Sequence, residues 1–294
     1  VRPMLYQNRF AKALLWGGVC TAILTGCNQP AKEGTATDGT AGTDTTTEMK
    51  TVAITAIVEH PALDDVRKGV IDELNEAGFK DGENLKVNFQ SAQGNTATAG
   101  QIAKQFVADN SDVIIAIGTP SAQSVAAATS TIPLVFSAVT DPVEAKLVSK
   151  LDGSGTNVTG GSDALPYEPQ IDLMRQIIPS LKNVGYVYSP GEVNSTIILK
   201  NLKEKLTPLG IKVHEAPAQR STDIAMAARS LEGKVDMIYT STDNNVVSAY
   251  ESLYQAAKES KIPLIASDTS SVERGAIAAL GVNYYDLGRE TGKI

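Results

Sequence analysis

From residue 51 onward, short β-branched runs alternate with longer amphipathic stretches, and this alternation limits the possible folds more than any other feature. The run TVAITAIV at 51–58 is typical of a strand, and residues 61–77 after it have helical periodicity. Pro61 suits the first turn of that helix, and Gly78 suits its C-terminal end. Buried strands separated by helices predict parallel sheets that are covered on both faces.

The same order recurs through the rest of the chain. Further strands are predicted at 85–92, 112–118, 132–139, 183–189, 211–217, 235–241, 262–267 and 275–283. Further helices are predicted at 96–108, 120–128, 192–206, 223–231 and 244–259, with a short helix that opens at Asp141 and a last helical turn near the end. The sequence therefore predicts an α/β protein.

A polar, glycine-rich stretch at 152–163 separates two such sets of strands and helices. The segments DVIIAIGTPSAQS and VDMIYTSTDNNVVS, one in each set, share a layout of acidic start, apolar strand and polar helix-opening turn. We therefore expect two doubly wound parallel-sheet lobes. The N-terminal lobe is expected at 51–160, completed by about 280–294, and the C-terminal lobe at 161–279.

The first residues are typical of an export signal. Arg2, Arg9 and Lys12 form a basic region, and the apolar run at 13–24 is shorter than the ~20 residues that cross a bilayer. The run ends in LTGC, which resembles a bacterial lipobox with Cys27 as the acylated residue. The alternatives are an uncleaved anchor and a buried helix with an incidental cysteine. We expect a lipoprotein signal peptide at 1–26.

Residues 27–50 are rich in threonine and contain no Val, Ile, Leu or aromatic side chain, so they are expected to form a flexible tether. Acylation at Cys27 would hold the chain on a membrane. The predicted location is the bacterial cell envelope, lipid-anchored and extracytoplasmic.

Composition excludes several other functions. The chain has 26 Lys and Arg against 33 Asp and Glu, a net charge of −7, which disfavours binding to nucleic acid. Two cysteines and two histidines are too few for a zinc cluster or an iron–sulfur site. We expect no metal and no cofactor.

Candidate binding residues follow the predicted strands, because ligands of parallel α/β sheets bind beyond the carboxyl ends of the strands. Each of these ends offers hydroxyls, amides or carboxylates. In GTPSAQS, Thr119 and Ser121 could help helix amides to hold a carboxylate, or Thr119 could be a plain N-cap. Asp141, Asp243 and Asp268 could likewise cap helices or face a ligand ammonium.

Catalysis is not indicated. Glu59 and His60 could form an acid–base pair, but a lone histidine is more often a packing or hydrogen-bonding residue. The sequence contains no G-x-S-x-G elbow, no G-x-x-x-x-G-K-[ST] loop and no H-E-x-x-H motif. We therefore expect a protein that is not an enzyme.

Six motifs resemble one family: VEHPALD, GTPSAQS, VFSAVTDPVEAKLV, NVTGGSD, YSPGEVNS and TDNNVVSA. They are similar to the ABC-transporter substrate-binding lipoproteins associated with tryptophan and tyrosine uptake, from about residue 50 to the end. The resemblance implies a type I periplasmic-binding-protein fold, with two lobes joined by a hinge that close over one small ligand. Members of the family continue with another helix and closing strands beyond the position of Ile294.

The resemblance also implies roles for individual residues. The ligand carboxylate would meet Thr119, Ser121 and Ser137, and its ammonium would pair with Asp268, with Asp141 and Glu59 as competitors. The second lobe would contribute Asn194, Ser195, Thr242 and Asn244. Candidates for a wall beside an aromatic side chain are Tyr188, Tyr167 and Pro190.

The favoured hypothesis is therefore a monomeric solute-binding lipoprotein that takes an amino acid, aromatic by analogy, to an ABC permease. Alternatives are a sugar or nucleoside binder of the same fold, a sensory protein that docks on a membrane receptor, and a secreted α/β hydrolase. Genes for a permease and an ATPase nearby would favour uptake over sensing, and the missing nucleophile motif disfavours the hydrolase.

Overall fold

The first sheet of the chain is entirely parallel, in a computed structural model that describes residues 49–153 and 155–294. Its strand order is β2-β1-β3-β4-β5. The strands are β1 (Lys50–Ala56), β2 (Leu85–Ser91), β3 (Val113–Ile117), β4 (Leu134–Val139) and β5 (Val158–Ser162). The helices that follow its first three strands are α1 (Pro61–Glu76), α2 (Thr96–Ala108) and α3 (Thr119–Ala128). β4 is buried along its whole length, as expected of a strand covered on both faces.

The second sheet repeats this build with the strand order β10-β9-β8-β6-β7, again all parallel. Its strands are β6 (Asn183–Tyr188), β7 (Lys212–Pro217), β8 (Met237–Thr240), β9 (Leu264–Asp268) and β10 (Ala278–Val282). Its helices are α4 (Tyr167–Ile177), α5 (Val193–Leu206), α6 (Ile224–Arg229), α7 (Asn244–Ser248) and α8 (Tyr250–Glu259). Two parallel five-stranded sheets with helices confirm the predicted fold class.

The last helix, α9 (Tyr284–Lys293), packs against α1 of the first sheet. Glycines allow this close contact. A Cβ atom at Gly69 would lie 2.2 Å from the Tyr285 carbonyl oxygen, and one at Gly288 would lie 2.2 Å from the Val66 carbonyl oxygen. We name the first sheet with α1, α2, α3 and α9 the first lobe, and the second sheet with α4 to α8 the second lobe.

Two segments cross between the lobes within the described residues. Residues 163–166 lead from β5 in the first lobe to α4 in the second, and Asn283 leads from β10 back to α9. Each crossing segment therefore joins an element of one lobe to an element of the other. These two segments are the only covalent links that a hinge between the lobes could use in this part of the chain.

Several predicted boundaries differ from the structure. The short helix expected at Asp141 does not form: residues 142–146 make turns, and Lys146 has a left-handed backbone with φ of 60°. The helix predicted at 244–259 is divided at Ala249, and the last helical turn is a ten-residue helix.

Strand β5 and helix α4 were not among the predicted elements. β5 has little apolar character because Gly160 and Gly161 occupy it. A Cβ atom at Gly160 would lie 2.0 Å from the Phe136 carbonyl oxygen of β4, so the glycine is what lets β5 pair there.

Candidate functional site

Two adjoining cavities lie between the lobes, at the carboxyl ends of the strands. The larger has a volume of about 110 Å³ and the smaller about 10 Å³. Asp163 and Thr242 line both cavities. The larger is bounded by α4, α5 and the ends of β4, β8 and β9, and the smaller by α1, α7, α9 and the end of β9. Because both lobes supply walls, a ligand here would contact both.

A chain of hydrogen bonds joins the crossing segments to both lobes. The Tyr284 hydroxyl donates to Asp163 Oδ2 at 3.0 Å, and the Thr140 hydroxyl donates to Asp163 Oδ1 at 2.9 Å. The oxygens of the Thr140 and Thr242 hydroxyls are 3.1 Å apart across the two lobes. The network therefore runs from α9 through the first crossing segment to the turn that precedes α7.

Asp163 is the central carboxylate of this site. It is 3% exposed, and burial raises the pKa of its carboxyl group. Its two side-chain partners, Thr140 and Tyr284, are neutral hydroxyls. No lysine or arginine is among the described residues that line either cavity. A cationic group that entered the cavities would therefore find a carboxylate without a charged partner.

Asp268 is a second buried carboxylate at the smaller cavity. It caps the short 3₁₀ turn at 269–272: Oδ1 accepts from the Ser271 amide at 2.9 Å, and Oδ2 accepts from the Ser271 hydroxyl at 2.6 Å. Ser270 donates to Oδ1 as well. The capping role left open by the sequence is thus present, and the carboxylate also lines the cavity.

His60 caps α1 and lines the smaller cavity. Its Nδ1 atom accepts from the Leu63 amide at 3.4 Å. Burial, assisted by the charge of Arg274, lowers the pKa of His60 to about 4 even though Asp268 opposes the shift. The imidazole is therefore neutral at pH 7. Glu59 is exposed and accepts a hydrogen bond from Gln93. Glu59 and His60 therefore do not form an acid–base pair at one site.

The lobes touch where two helices of opposite lobes begin. A Cβ atom at Gly118, the N-cap of α3, would lie 3.6 Å from Asn244 Oδ1 at the start of α7. One at Gly94 would lie 3.7 Å from Asn245 Oδ1. Both glycines have positive φ, 89° and 77°, where glycine is favoured. Backbone of the first lobe thus approaches the asparagines of the second.

Thr119 and Ser121, predicted ligand residues, occupy the first turn of α3. Their side chains are 2% and 0% exposed, and neither hydroxyl has a hydrogen-bond partner among the described residues. The N-cap is Gly118, which has no capping side chain, so Thr119 is not the plain N-cap that the sequence left open. The first turn of α3 retains unused polar groups beside the second lobe.

A buried pair of acids supports α7 from within the second lobe. Glu192 Oε2 accepts from the Asn244 amide at 3.0 Å and from the Asn244 side chain at 2.7 Å. Asp243 caps α7 through the Val246 amide and also accepts from Ser189. Burial raises the pKa of both carboxyls, and the charge of Asp243 raises that of Glu192 further, to about 8.

Four predicted ligand residues line the cavities: Asp141 the larger, Asn244 and Asp268 the smaller, and Thr242 both. Asp141 also accepts hydrogen bonds from the Val143 and Glu144 amides. The strand-end rule therefore brings these residues together from both lobes.

Other predicted residues lie away from the cavities. The Ser137 and Thr291 hydroxyl oxygens are 2.7 Å apart beneath α9, because Ser137 faces the interior of the first lobe. The Tyr188 hydroxyl donates to Glu215 at 3.1 Å on the neighbouring strand, outside both cavities.

The remaining two, Asn194 and Ser195, are buried in the first turn of α5. Asn194 donates to Glu192 and to the Thr242 carbonyl, while its Oδ1 atom has no partner among the described residues. The Ser195 hydroxyl lies 3.4 Å from that of Tyr186. Cys27 lies outside the described residues.

The sequence missed Asp163, Gln170, Tyr239 and Tyr284, which all line the cavities. Asp163 ends the motif NVTGGSD, and its position after a glycine-rich strand is a signal that could have found it. The others lie inside helices or strands, where the sequence gives no such signal.

Neither a metal site nor a membrane span is found in the described part. No group of three or more His, Cys, Asp or Glu among residues 49–153 and 155–294 could hold a metal ion. Within the same ranges, no helix combines the length and the apolar character needed to cross a bilayer.

Comparisons with known proteins identify the relatives of this chain. Residues 51–294 match the family model for ABC transporter substrate binding protein. A tyrosine-binding protein from Clostridioides difficile is 38% identical over 291 residues, which are 99% of this chain and 84% of the relative.

Two solved structures differ in how well they superpose. The ABC domain in complex with L-Trp from Streptococcus pneumonia has a TM-score of 0.81 at 34% identity, covering 84% of this chain and 83% of that one. The ligand-free, open structure of a substrate-binding protein with adhesive properties from Clostridium difficile has a TM-score of 0.61 at 43% identity, covering 83% of both chains. The present arrangement is thus closer to the ligand complex, although the open structure is closer in sequence.

Proposed function

The chain belongs to the family of ABC transporter substrate-binding proteins, and from that premise we propose that it captures an aromatic amino acid between its two lobes. It would deliver this ligand to a membrane permease for import and perform no chemistry itself. The resemblance found in the sequence is confirmed at the level of the family. The ligand and the importer role are the content of the proposal.

The observation that carries the proposal is the pair of buried carboxylates, Asp163 and Asp268, at one cavity without a lysine or arginine in its described lining. Asp268 already accepts three hydrogen bonds and Asp163 two, all from neutral donors. A ligand ammonium group would supply the cation that a buried carboxylate needs and that the described lining does not provide. We assign the amino group of the ligand to the region between these two side chains.

The carboxylate end of an amino acid has a matching environment. Helix N-termini attract anions, and the first turn of α3 carries the hydroxyls of Thr119 and Ser121, which lack partners among the described residues. Asn244, at the start of α7, approaches the same turn from the second lobe. Contacts to both helices would make the ligand a bridge between the lobes.

The walls of the larger cavity have the chemical character that an aromatic side chain requires. Leu165, Ile197 and Ile198 supply apolar surface, and Tyr167 and Tyr239 supply rings. Two relatives support this class of ligand, since one is named a tyrosine-binding protein and another was solved with L-Trp. The cavities are smaller than the ~300–1,000 Å³ usual for ligand sites, so uptake of such a ligand requires the lobes to move.

We infer that binding shifts an equilibrium between open and closed lobes. The hydrogen bond between Thr140 and Thr242 joins the two lobes directly, so opening of the lobes would break it. The closer superposition on the L-Trp complex than on the open structure supports this interpretation.

We further propose that the protein is a monomer held at the outer face of a bacterial membrane. In this proposal, cleavage before Cys27 removes the signal peptide, acyl chains on Cys27 anchor the protein, and the threonine-rich tether leads to the lobes.

A ligand screen tests the proposed function. The purified full chain is heated with each of the common L-amino acids, with sugars and with nucleosides, and its thermal unfolding is recorded. A ligand at 100 times its Kd stabilises the folded state by about 2.7 kcal/mol. We expect a shift with aromatic amino acids. Stabilisation by sugars or nucleosides alone would overturn the proposal in favour of the alternative ligands.

A further inference from the structure

The floor of the larger cavity is polar although the surface beneath it is apolar. Gln170 of α4, Tyr239 of β8 and Ser267 of β9 line the cavity with 1%, 3% and 3% of their surface exposed. Side chains alternate along a strand, so Ser267 shares a face with Ile265, which packs in the apolar cluster beneath α4 and α5. Ser267 therefore places a hydroxyl group next to the apolar cluster, on the face of β9 that borders the cavity.

These three polar groups have unused hydrogen-bonding capacity. Ser267 Oγ has no hydrogen-bond partner of normal geometry among the described residues, although its interaction with the Tyr239 hydroxyl offsets part of the rise that burial causes in the pKa of that group. The Tyr239 hydroxyl reaches Gln170 Oε1 only at 3.5 Å, the long limit of a hydrogen bond, while Gln170 Nε2 donates to the Leu280 carbonyl at 2.7 Å. Buried polar groups are rarely left without partners, because losing the hydrogen bonds to water costs free energy.

We propose that Gln170, Tyr239 and Ser267 form a subsite for a hydroxyl group on the ring of the bound ligand, so that the protein selects tyrosine over phenylalanine. This inference rests on the proposed function, since it assigns the aromatic side chain to the larger cavity. Asp163 and Thr242 line both cavities, which lets one ligand place its amino group in one and its ring in the other.

The chemistry of the subsite matches a phenol. A phenol both donates and accepts, and the Ser267 hydroxyl can do either. Gln170 Oε1 is an acceptor that is only weakly used. The ring of phenylalanine would place a C–H group against the same three side chains. It would displace any water there without replacing the hydrogen bonds of that water. The discrimination therefore comes from polar groups that phenylalanine leaves unpaired.

The test compares tyrosine and phenylalanine by calorimetric titration of the purified full chain. We expect tyrosine to bind at least about tenfold more tightly. Ser267→Ala is expected to weaken tyrosine binding about tenfold and to leave phenylalanine binding unchanged. Ser111→Ala is the matched control, because Ser111 is also buried but donates to the Phe106 carbonyl in the first lobe.

A second variant keeps the test decisive if Ser267→Ala does not fold. Tyr239→Phe removes only a hydroxyl and is expected to reduce the preference for tyrosine as well. Equal affinity of the unmodified chain for both ligands would overturn the subsite and leave the proposed function intact. The same conclusion follows if both variants keep the full preference. Failure of every aromatic amino acid to bind would overturn the proposed function and the subsite together.

Discussion

The Tyr284 hydroxyl donates a hydrogen bond of 3.0 Å to Asp163 Oδ2; Asp163 begins one of the two segments that cross between the lobes, and Tyr284 directly follows the other. The bond ties the crossings to each other. The same carboxylate accepts from Thr140, whose hydroxyl meets Thr242 of the second lobe. Asp163 thus connects the candidate ligand site to the region about which the lobes would turn.

Replacing the central carboxylate tests the ammonium site. Asp163→Asn is expected to weaken binding of an aromatic amino acid by about 2–3 kcal/mol, because a hydrogen bond to a charged partner is lost inside a buried site. Calorimetric titration measures the change, and Asp268→Asn is expected to act in the same direction. Asp65→Asn, at an exposed position of α1, is the control. Unchanged affinity in both site variants would remove the carboxylates from this role.

The stability of the ligand-free protein should depend on pH through its buried acids. Burial raises the pKa of Glu192 from 4.5 to about 8, so between these values the folded state holds a proton that the unfolded state has released. The free energy of unfolding then falls as pH rises, by up to ~1.4 kcal/mol per pH unit for one group. Denaturant unfolding at pH 5, 6, 7 and 8 measures the slope.

Glu192→Gln removes this titration while keeping an acceptor for Asn244 and Asn194, so its stability should fall less over the same range. Asp243 and Asp163, whose pKa values burial also raises, account for the slope that remains. Glu232→Gln, at an exposed position, serves as the reference variant. Parallel curves for the unmodified chain and Glu192→Gln would contradict this assignment.

Replacing two helix glycines by alanine should have opposite effects on stability, because only one of the two lies at the contact between α1 and α9. Gly288→Ala forces a methyl group against the Val66 carbonyl and should destabilise the protein by roughly 1–3 kcal/mol. A Cβ atom at Gly100, in α2, would meet no other atom within 4 Å, so Gly100→Ala should stabilise the protein by about 0.5–1 kcal/mol. Chemical denaturation measures both, and equal effects would show that the helix contact does not limit stability.

The lipid anchor is tested through its cysteine. Cys27→Ser should block acylation and leave the signal peptide attached when the full chain is expressed in a bacterium. Incorporation of a labelled fatty acid and the mass of the mature protein are the measurements. Ser124→Ala, within the first lobe, is the control for expression. A Cys27→Ser variant that is still labelled and cleaved would refute the lipoprotein proposal.

The alternation of short apolar runs with amphipathic stretches was enough to predict the fold class, because parallel strands that are buried on both faces are continuously apolar. It failed at β5, where Gly160 replaces apolar side chains to allow close pairing with Phe136. It also failed at Asp141, where the carboxylate holds the amides of the next turn as a helix cap would, but Lys146 takes a left-handed conformation and no helix follows.

The site could be predicted in part from the rule that ligands bind at strand ends. That rule locates Asp268 and Asn244, which follow strands of the second lobe. It does not say which way a side chain turns, so it also selected Ser137, which bonds to Thr291. Tyr188, a candidate that came from the family resemblance, bonds to Glu215 outside both cavities. Tyr239 reaches the cavity from within a strand, and only the packing of α4 above it determines that.

The first lobe contains residues from both ends of the described chain, because α9 completes its packing against α1. During synthesis, all of β1 to β5 would therefore be complete before α9, the helix that covers α1, is made. Among the described residues, the second lobe is continuous in sequence, from α4 to β10, and has no such delay. We infer that it can fold first, and that during synthesis the first lobe exposes the surface around Val66 until the last helix arrives.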